Sequence, residues 1–436
     1  MFSFRSKLVT VFIIFVVAVF SATLAMVAVY SLPSKISFNN IKKSISLYEK
    51  EGLYPVWTGD KYKFSSRMDN FTDSIMLRNV IFPNNESGAV RNAMLNPRIQ
   101  YKTSNHVQSL IRQIKGDTTD RHIINYGRYW HGYLVVLKPL TMLLDISSIR
   151  LLNLMLQVIV AVYMTMLIGK TFGVGYGFSY LLAYLLLNPV TLIMSFQFST
   201  MYYVTNLITF ILLKKWLFFD KEMNFVYLFF LSGLLAAFFD LLTYPLVSLG
   251  IPLSILFIKM GYENNLKNYK SAAKILVLSS LYWGVAYGFM HIAKWIVASV
   301  LIGNNVVFNS FGHLQHRMAS QIGGLHMTPI AAIERNVGVI LKEPILLIVI
   351  FSLIISLFFL NKLKRNQKIK IANYDILKGA LFFIMSYPFL WYMVFFNHSF
   401  IHFWFTYRAL AVTVFAGGCL VATLFSEYEM ERKKNE

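Results

Sequence analysis

Two carboxylates four residues apart, Asp69 and Asp73, stand in the stretch "DNFTDSIMLRNV" (69–80). In a helix that spacing puts both on one face. There each raises the proton affinity of the other, or the two together meet a divalent cation. Such a pair suits acid–base chemistry; the simpler account is a solvated helix face. A third carboxylate, Asp240 in "FFDLLTYP" (238–245), ends an apolar run. Ionisable groups in such runs are costly enough that function is the default reading, with a cap or turn near Pro245 as the alternative. "NYGRYWHGY" (125–133) surrounds Arg128 and His131 with Tyr126, Tyr129, Trp130 and Tyr133. It offers a guanidinium for a phosphate, aromatic faces for a sugar ring and an imidazole for proton transfer; an interfacial aromatic belt is the alternative. Arg317 in "NSFGHLQHRMASQIGGLHM" (309–327) and Arg408 in "FNHSFIHFWFTYR" (396–408) are further candidates for holding phosphate. His313 and His316 have metal-ligand spacing without a third ligand nearby, so no metal site is expected there. No cofactor follows from the sequence beyond the divalent cation that Asp69 and Asp73 could share.

The elements that must position these residues are set by composition. The chain has 436 residues, 56% hydrophobic and 14% charged, with a mean hydropathy of +0.55. Soluble domains carry about 25% charged residues, so this is expected to be an all-α, polytopic membrane protein. The net charge of +21 does not point to nucleic acid in so apolar a chain. It marks cytoplasmic loops and contact with anionic lipid instead. The lone Cys419 excludes an internal disulfide framework. Apolar runs at 8–31, 149–169, 174–195, 200–216, 223–240, 242–260, 274–300, 341–361, 376–396 and 404–425 predict about ten spans, within a range of 8–12. The first, preceded by Arg5 and Lys7, is too long for a signal-peptide core and reads as an uncleaved anchor. With the N-terminus inside, Lys170, Lys214, Lys215, Lys221, Lys259, Lys267, Lys270, Lys274, "NKLKRNQKIK" (361–370) and Arg432–Lys434 all fall on the inner side. The short outer loops keep only Arg317, Arg335, Lys342 and Arg408. That asymmetry is the one insertion favours, and it puts the chain in the cell membrane with both termini cytoplasmic.

The expected organisation is an N-terminus with first span (1–32), a large outer segment (33–147), spans two to seven (148–302), a second outer loop (303–340), and three spans with a tail (341–436). Within 33–147, "ISFNNIKKSISLYEKEG" has helical apolar spacing and reads as a helix on the membrane surface. "TSNHVQSLIRQIKG" reads as a second helix, capped by Ser104 or Asn105 and stopped by Gly116. The apolar stretch 127–146, broken by Pro139, is too short to span and is expected to be re-entrant or partly buried. Asp145 and Ser147 offer caps for the second span. From 33 to 130 there are 15 Lys and Arg against 8 Asp and Glu. This surplus either attracts an anionic carrier or acceptor, or is an ordinary solvated surface.

A first span with its N-terminus inside, a large outer segment with surface helices and an acidic residue, and many further spans resemble the plan of the GT-C superfamily, membrane glycosyltransferases that use lipid-linked sugar donors. "FTDSIMLRNV", "YGRYWHGYLVVLKPL" (126–140) and "FFDLLTYPLVSLGIPL" (238–253) also resemble segments of bacterial polytopic proteins associated with cell-surface glycan synthesis. The resemblance implies a polyprenyl-phosphate-linked sugar as donor, a cell-envelope glycan or glycolipid as acceptor, and Asp73, with Asp69 second, as the base. The spacing here is D-x-x-x-D, where the superfamily usually has adjacent acidic residues. Two other classes share the substrate: a transporter or flippase, and a ligase or polymerase for lipid-linked glycans. The first calls for paired halves and midplane charge, of which the spans offer only His291 and Lys294; the second calls for arginines in a large late loop.

Overall fold

The computed structural model describes residues 4–60, 63–83, 88–214, 224–303, 306–308, 310, 312, 321–322, 325–341, 371 and 373–435. It is mostly helical. The chain begins with α1 (Phe4–Ser31), then folds the first polar segment into short elements. These are α2 (Ser34–Lys43), α3 (Ile45–Glu51), α4 (Asn70–Val80), α5 (Ala89–Leu95), β1 (Arg98–Tyr101), α6 (His106–Ile114), β2 (Arg121–Ile124) and α7 (Leu134–Leu143). The surface-helix stretch is thus two helices, broken at Ser44. Asn105 caps α6 in a reciprocal box with Gln108, satisfying two otherwise orphaned amides. The antiparallel pair β1–β2, with Arg98 opposite Ile124 and Tyr101 opposite Arg121, departs from the all-helical expectation. Four-residue strands are too short to leave a periodicity in the sequence. This segment is no loose loop: α5 and α7 pack on α1, α5 on the helix Tyr269–Ile302, and α4 on α11 (below).

The membrane part continues with α8 (Ile146–Phe172), α9 (Val174–Leu186), α10 (Pro189–Met194) and α11 (Phe196–Leu213), followed by Phe225–Phe239, Val247–Tyr262 and Tyr269–Ile302. Asp145 caps α8 by accepting from the Ser148 amide at 2.8 Å. Among the described residues six segments are long and apolar enough to cross a membrane: Lys7–Ser31, Ile146–Phe172, Phe196–Leu213, Tyr269–Ile302, Tyr374–Val394 and Phe403–Tyr428. The expected spans at 174–195, 223–240 and 242–260 are present as shorter apolar helices. The first of these stops where Asn188, in the left-handed region at φ 59°, turns the chain into α10. After Leu341 the expected span 341–361 lies outside the described residues. Only 11% of the apolar window of the first segment and 22% of that of α8 is buried, against 78% for α11. Apolar side chains exposed all round a helix are at home in hydrocarbon, so α1 and α8 form the rim and α11 the centre. Phe225–Phe239 lies along Tyr269–Ile302. Any side chain at Gly233 would strike the Trp283 carbonyl there, the small-residue contact that lets helices approach closely. Cys419 is buried and unpaired with another cysteine.

Candidate functional site

Asp69 and Asp73 are both buried, at 2% and 0% exposure, so the solvated-face account of the pair is excluded. Asp69 is the N-cap of α4: Oδ1 accepts from the Thr72 amide at 3.1 Å, and Oδ2 from the Thr72 hydroxyl at 2.7 Å. The Gln197 side-chain amide also donates to Oδ2. The Asp69 amide donates to Ser195 Oγ at 2.9 Å, which ties the start of α4 to the start of α11. One turn on, Asp73 Oδ2 accepts from the Phe196 amide at 3.1 Å. The carboxylates therefore sit at the amide-rich end of α11, where Ser195 makes no side-chain cap of its own. Negative charge is favoured at such a terminus.

The two carboxyls are not equivalent. Burial pushes Asp69 up from 3.8 to about 6, against the pull of Thr72, Arg67 and Arg408. Burial pushes Asp73 well above the usual carboxylate range, and the Asp69 carboxylate raises it further against Arg150 and the α11 amides. Every oxygen of Asp69 faces a donor, whereas Asp73 Oδ1 is buried with no hydrogen-bond partner among the described residues. A carboxylate is an acceptor only and a carboxylic acid needs room for its proton, so the surroundings put the charge on Asp69 and the proton on Asp73. Around Asp73, Tyr48 Oη, Ser74 Oγ and Arg150 Nε are likewise buried and unpartnered among the described residues. Each such atom costs about 1–3 kcal/mol.

Arg150, in the first turns of α8, forks onto Glu51 with Nη1–Oε1 at 2.7 Å and Nη2–Oε2 at 3.0 Å. Asn70 donates to the same Glu51 at 2.9 Å and to the Gly52 carbonyl at 3.0 Å. The end of α3 is thereby locked against α4 and α8, which fixes the floor under Asp73. On the other side of α4, Arg78 is fully buried and donates to the Ser74 and Ile99 carbonyls, to Gln100 and to His106 Nδ1. Burial together with Arg78 and Arg98 pushes His106 down to about 3, so it is a neutral acceptor. Half-buried Arg67 lies 4.3 Å from the Tyr54 ring centre and 5.1 Å from that of Trp404, close enough to Asp69 for its charge to act there.

The remaining candidates separate. Asp240 is buried and accepts from the Thr243 amide at 3.1 and 2.9 Å and from its hydroxyl, the cap-like contacts of the turn near Pro245. Arg408 is fully buried, donating to the Leu187 carbonyl at 2.9 Å, the Trp404 carbonyl at 3.4 Å and Thr191 Oγ1 at 2.5 Å. It closes the carboxyl end of α9, with three of its five N–H groups engaged there. Trp130 is a core residue: its indole donates to the Met290 carbonyl at 2.7 Å, with Lys294 Nζ 5.2 Å from its ring. Lys294 in turn donates to the Ala93 carbonyl at 2.9 Å, so the charge inside this helix anchors α5. His131 Nε2–H donates to the Tyr126 carbonyl at 2.9 Å, and its Nδ1 accepts from the Tyr133 hydroxyl at 2.7 Å. Burial pushes it down to about 3, which makes it a neutral positioning group in a strained turn at φ 56°. Arg317, His313 and His316 lie outside the described residues. Among the described residues no three His, Cys, Asp or Glu side chains gather to hold a metal ion.

Arg128 shares an aromatic ring with a second arginine, Arg98. Its guanidinium lies 4.6 Å from the Tyr126 ring centre, and that of Arg98 lies 5.2 Å from the same ring. Gly127 makes this possible, because a Cβ there would meet the Met94 carbonyl at 2.8 Å while Tyr126 donates to the Leu95 carbonyl at 2.7 Å. The Arg128 carbonyl is held by the indole of Trp295 at 2.8 Å.

An apolar groove of about 420 Å³ runs between α7, α8, α11 and Phe225–Phe239. Met76, Tyr133, Val136, Leu156, Phe196 and Tyr203 are among its walls. Phe196 is the residue whose amide holds Asp73, and Met76 lies one turn beyond Asp73 on α4, so two walls of the groove adjoin the carboxylate pair, while neither carboxylate is itself among the walls. Tyr133, another wall of the groove, donates to His131, whose ring lies 5.2 Å from Tyr126. The chain matches no family model, no curated protein and no solved structure.

Proposed function

We propose that this chain is a membrane glycosyltransferase of GT-C-like plan, moving a sugar from a polyprenyl-phosphate donor to a hydroxyl of a cell-envelope glycan or glycolipid on the outer face. The observation that carries the proposal is Phe196, a wall of the hydrocarbon-lined groove whose backbone amide also holds Asp73 of the buried carboxylate pair. Transfer to a hydroxyl requires a base within hydrogen-bond reach of that hydroxyl and positive groups for the departing phosphate. In this reading Asp69 is the base, its proton affinity raised by burial to near neutrality. Asp73 holds a proton beside it and keeps a second negative charge from forming, and Arg128 faces the phosphate. Glycosyl transfer then breaks the bond between the anomeric carbon and the phosphate oxygen and forms one to the acceptor oxygen. The hydroxyl proton goes to Asp69, and the electron pair leaves with the phosphate.

The test is transfer from a synthetic short-chain polyprenyl-phosphate sugar by the purified full chain, together with the envelope glycan profile of cells expressing it at matched levels. Asp69→Asn abolishes transfer. Asp73→Asn, an isostere of the protonated acid, is milder, and Asp240→Asn keeps its cap and retains activity. Unchanged glycans in Asp69→Asn and Asp73→Asn cells would remove the enzymatic reading. Equal loss in all three variants would assign the aspartates to folding alone.

A further inference from the structure

Arg98 is 6% exposed, and its Nε and Nη1 have no hydrogen-bond partner among the described residues. The same holds for Arg128 Nε. Both guanidiniums lie against one ring, Tyr126. The ionisable groups that act on Arg98 are Tyr126, Tyr133 and Arg128, and Lys294, Arg98 and Arg128 act together on the neighbouring His131; no carboxylate is among them. A buried guanidinium ordinarily finds a carboxylate or several carbonyls, as Arg150, Arg78 and Arg408 do in this same chain. A single aromatic face returns only a small part of what burial costs a charge. Two adjacent cations with spare, buried N–H groups and no counter-charge among the described residues form a fork for an oxyanion.

We propose that Arg98 and Arg128, held by Tyr126, form a phosphate-binding site, taking a phosphate monoester or diphosphate. It rests on the proposed transferase reading only for the source of the phosphate, which there is the donor's headgroup; the binding itself is independent of transfer. The position suits a lipid phosphate, because Tyr133 is both a wall of the groove and, through His131, the neighbour of Tyr126. A chain in the groove brings its head to this fork. Arg98 comes from β1 and Arg128 from the turn after β2, so the ribbon fixes their separation.

The experiment is ³¹P line broadening on the purified full chain in nanodiscs with inorganic phosphate, inorganic pyrophosphate, a polyprenyl monophosphate and, as a melting-shift control, the neutral polyprenol. Binding of at least one phosphate probe is expected. Arg98→Gln and Arg128→Gln should each weaken it by about tenfold to a hundredfold. Arg98→Lys retains part of it, and Arg112→Gln, whose guanidinium is already paired with Asp117 and Asp120, leaves it unchanged. Saturable competition by inorganic phosphate or pyrophosphate identifies a free phosphate as sufficient; binding of the lipid phosphate alone identifies the headgroup. No broadening by any phosphate probe, or a polyprenol shift as large as that of its phosphate, overturns the proposal. So does undiminished binding in Arg128→Gln, the half-buried member, which carries the test if Arg98→Gln fails to fold. Loss of transfer with intact phosphate binding would leave this site standing while the transferase reading fell.

Discussion

Asp69→Asn should make the protein more stable while removing its activity. In the folded chain burial lifts the Asp69 carboxyl from 3.8 to about 6. A raised carboxyl contributes stability that is fully present below its unfolded value and lost as pH rises through its folded value. The window is therefore about pH 4 to about pH 6. At about 1.4 kcal/mol for each tenfold change in proton affinity, wild type is less stable near neutrality by about 3 kcal/mol than it would be with a neutral group there. The Asp69→Asn chain keeps that group neutral at every pH. Asparagine caps helices as well as aspartate does, and Thr72 and Gln197 can each turn an acceptor toward its amide. The assay is the thermal midpoint of both chains in the same detergent at a fixed scan rate, from about pH 4 to about pH 7.5. The difference should be near zero at the acid end and grow to about 3 kcal/mol, roughly 5 °C, at the other. Using the difference between the chains cancels His131, whose lowered affinity works in the opposite direction, losing stability as pH falls from 6.5 toward about 3. Equal midpoints near pH 7.5, or a gap that does not change with pH, would show that burial does not perturb this carboxyl and would take the base assignment with it.

Arg150→Met leaves half-buried Glu51 without its fork and should cost about 3 kcal/mol, with part recovered in the Arg150→Met/Glu51→Gln double variant; a melting-point double-mutant cycle measures the coupling. Gly132→Ala drives a methyl into the Phe238 ring and should destabilise by about 1–3 kcal/mol, read as lower yield and midpoint, because Gly132 also donates to the Phe238 carbonyl at 2.9 Å. Arg408→Gln strands the Leu187 carbonyl and should lower the midpoint by an amount worth about 1–3 kcal/mol without altering phosphate binding by the protein that folds. Arg128→Gln should do the reverse, and the contrast separates a structural arginine from a binding one.

Hydropathy and charge alone establish a helical membrane protein, because an apolar run with no charge has no other stable place than lipid. Local rules also stood on their own: the Asn105 cap, the Asp145 cap and the short helix around Pro139 depend on neighbours a few residues away. The number of spanning helices did not follow in the same way. Runs such as 174–195 are apolar enough throughout, yet Pro189 and the left-handed Asn188 divide the chain at a point hydropathy does not register. The sequence also marked Asp69, Asp73, Asp240, Arg128, His131, Trp130 and Arg408 as the residues worth asking about, but types and spacing could not sort them. Sorting needed contacts across 100 or more residues: Asp73 with Phe196, Arg408 with Leu187, Trp130 with Met290. Arg98 could not be singled out at all, because what distinguishes it is the partner it lacks once buried. Whether a charged side chain is capped, paired or left open is a property of the packed surroundings, and only the tertiary structure supplies them.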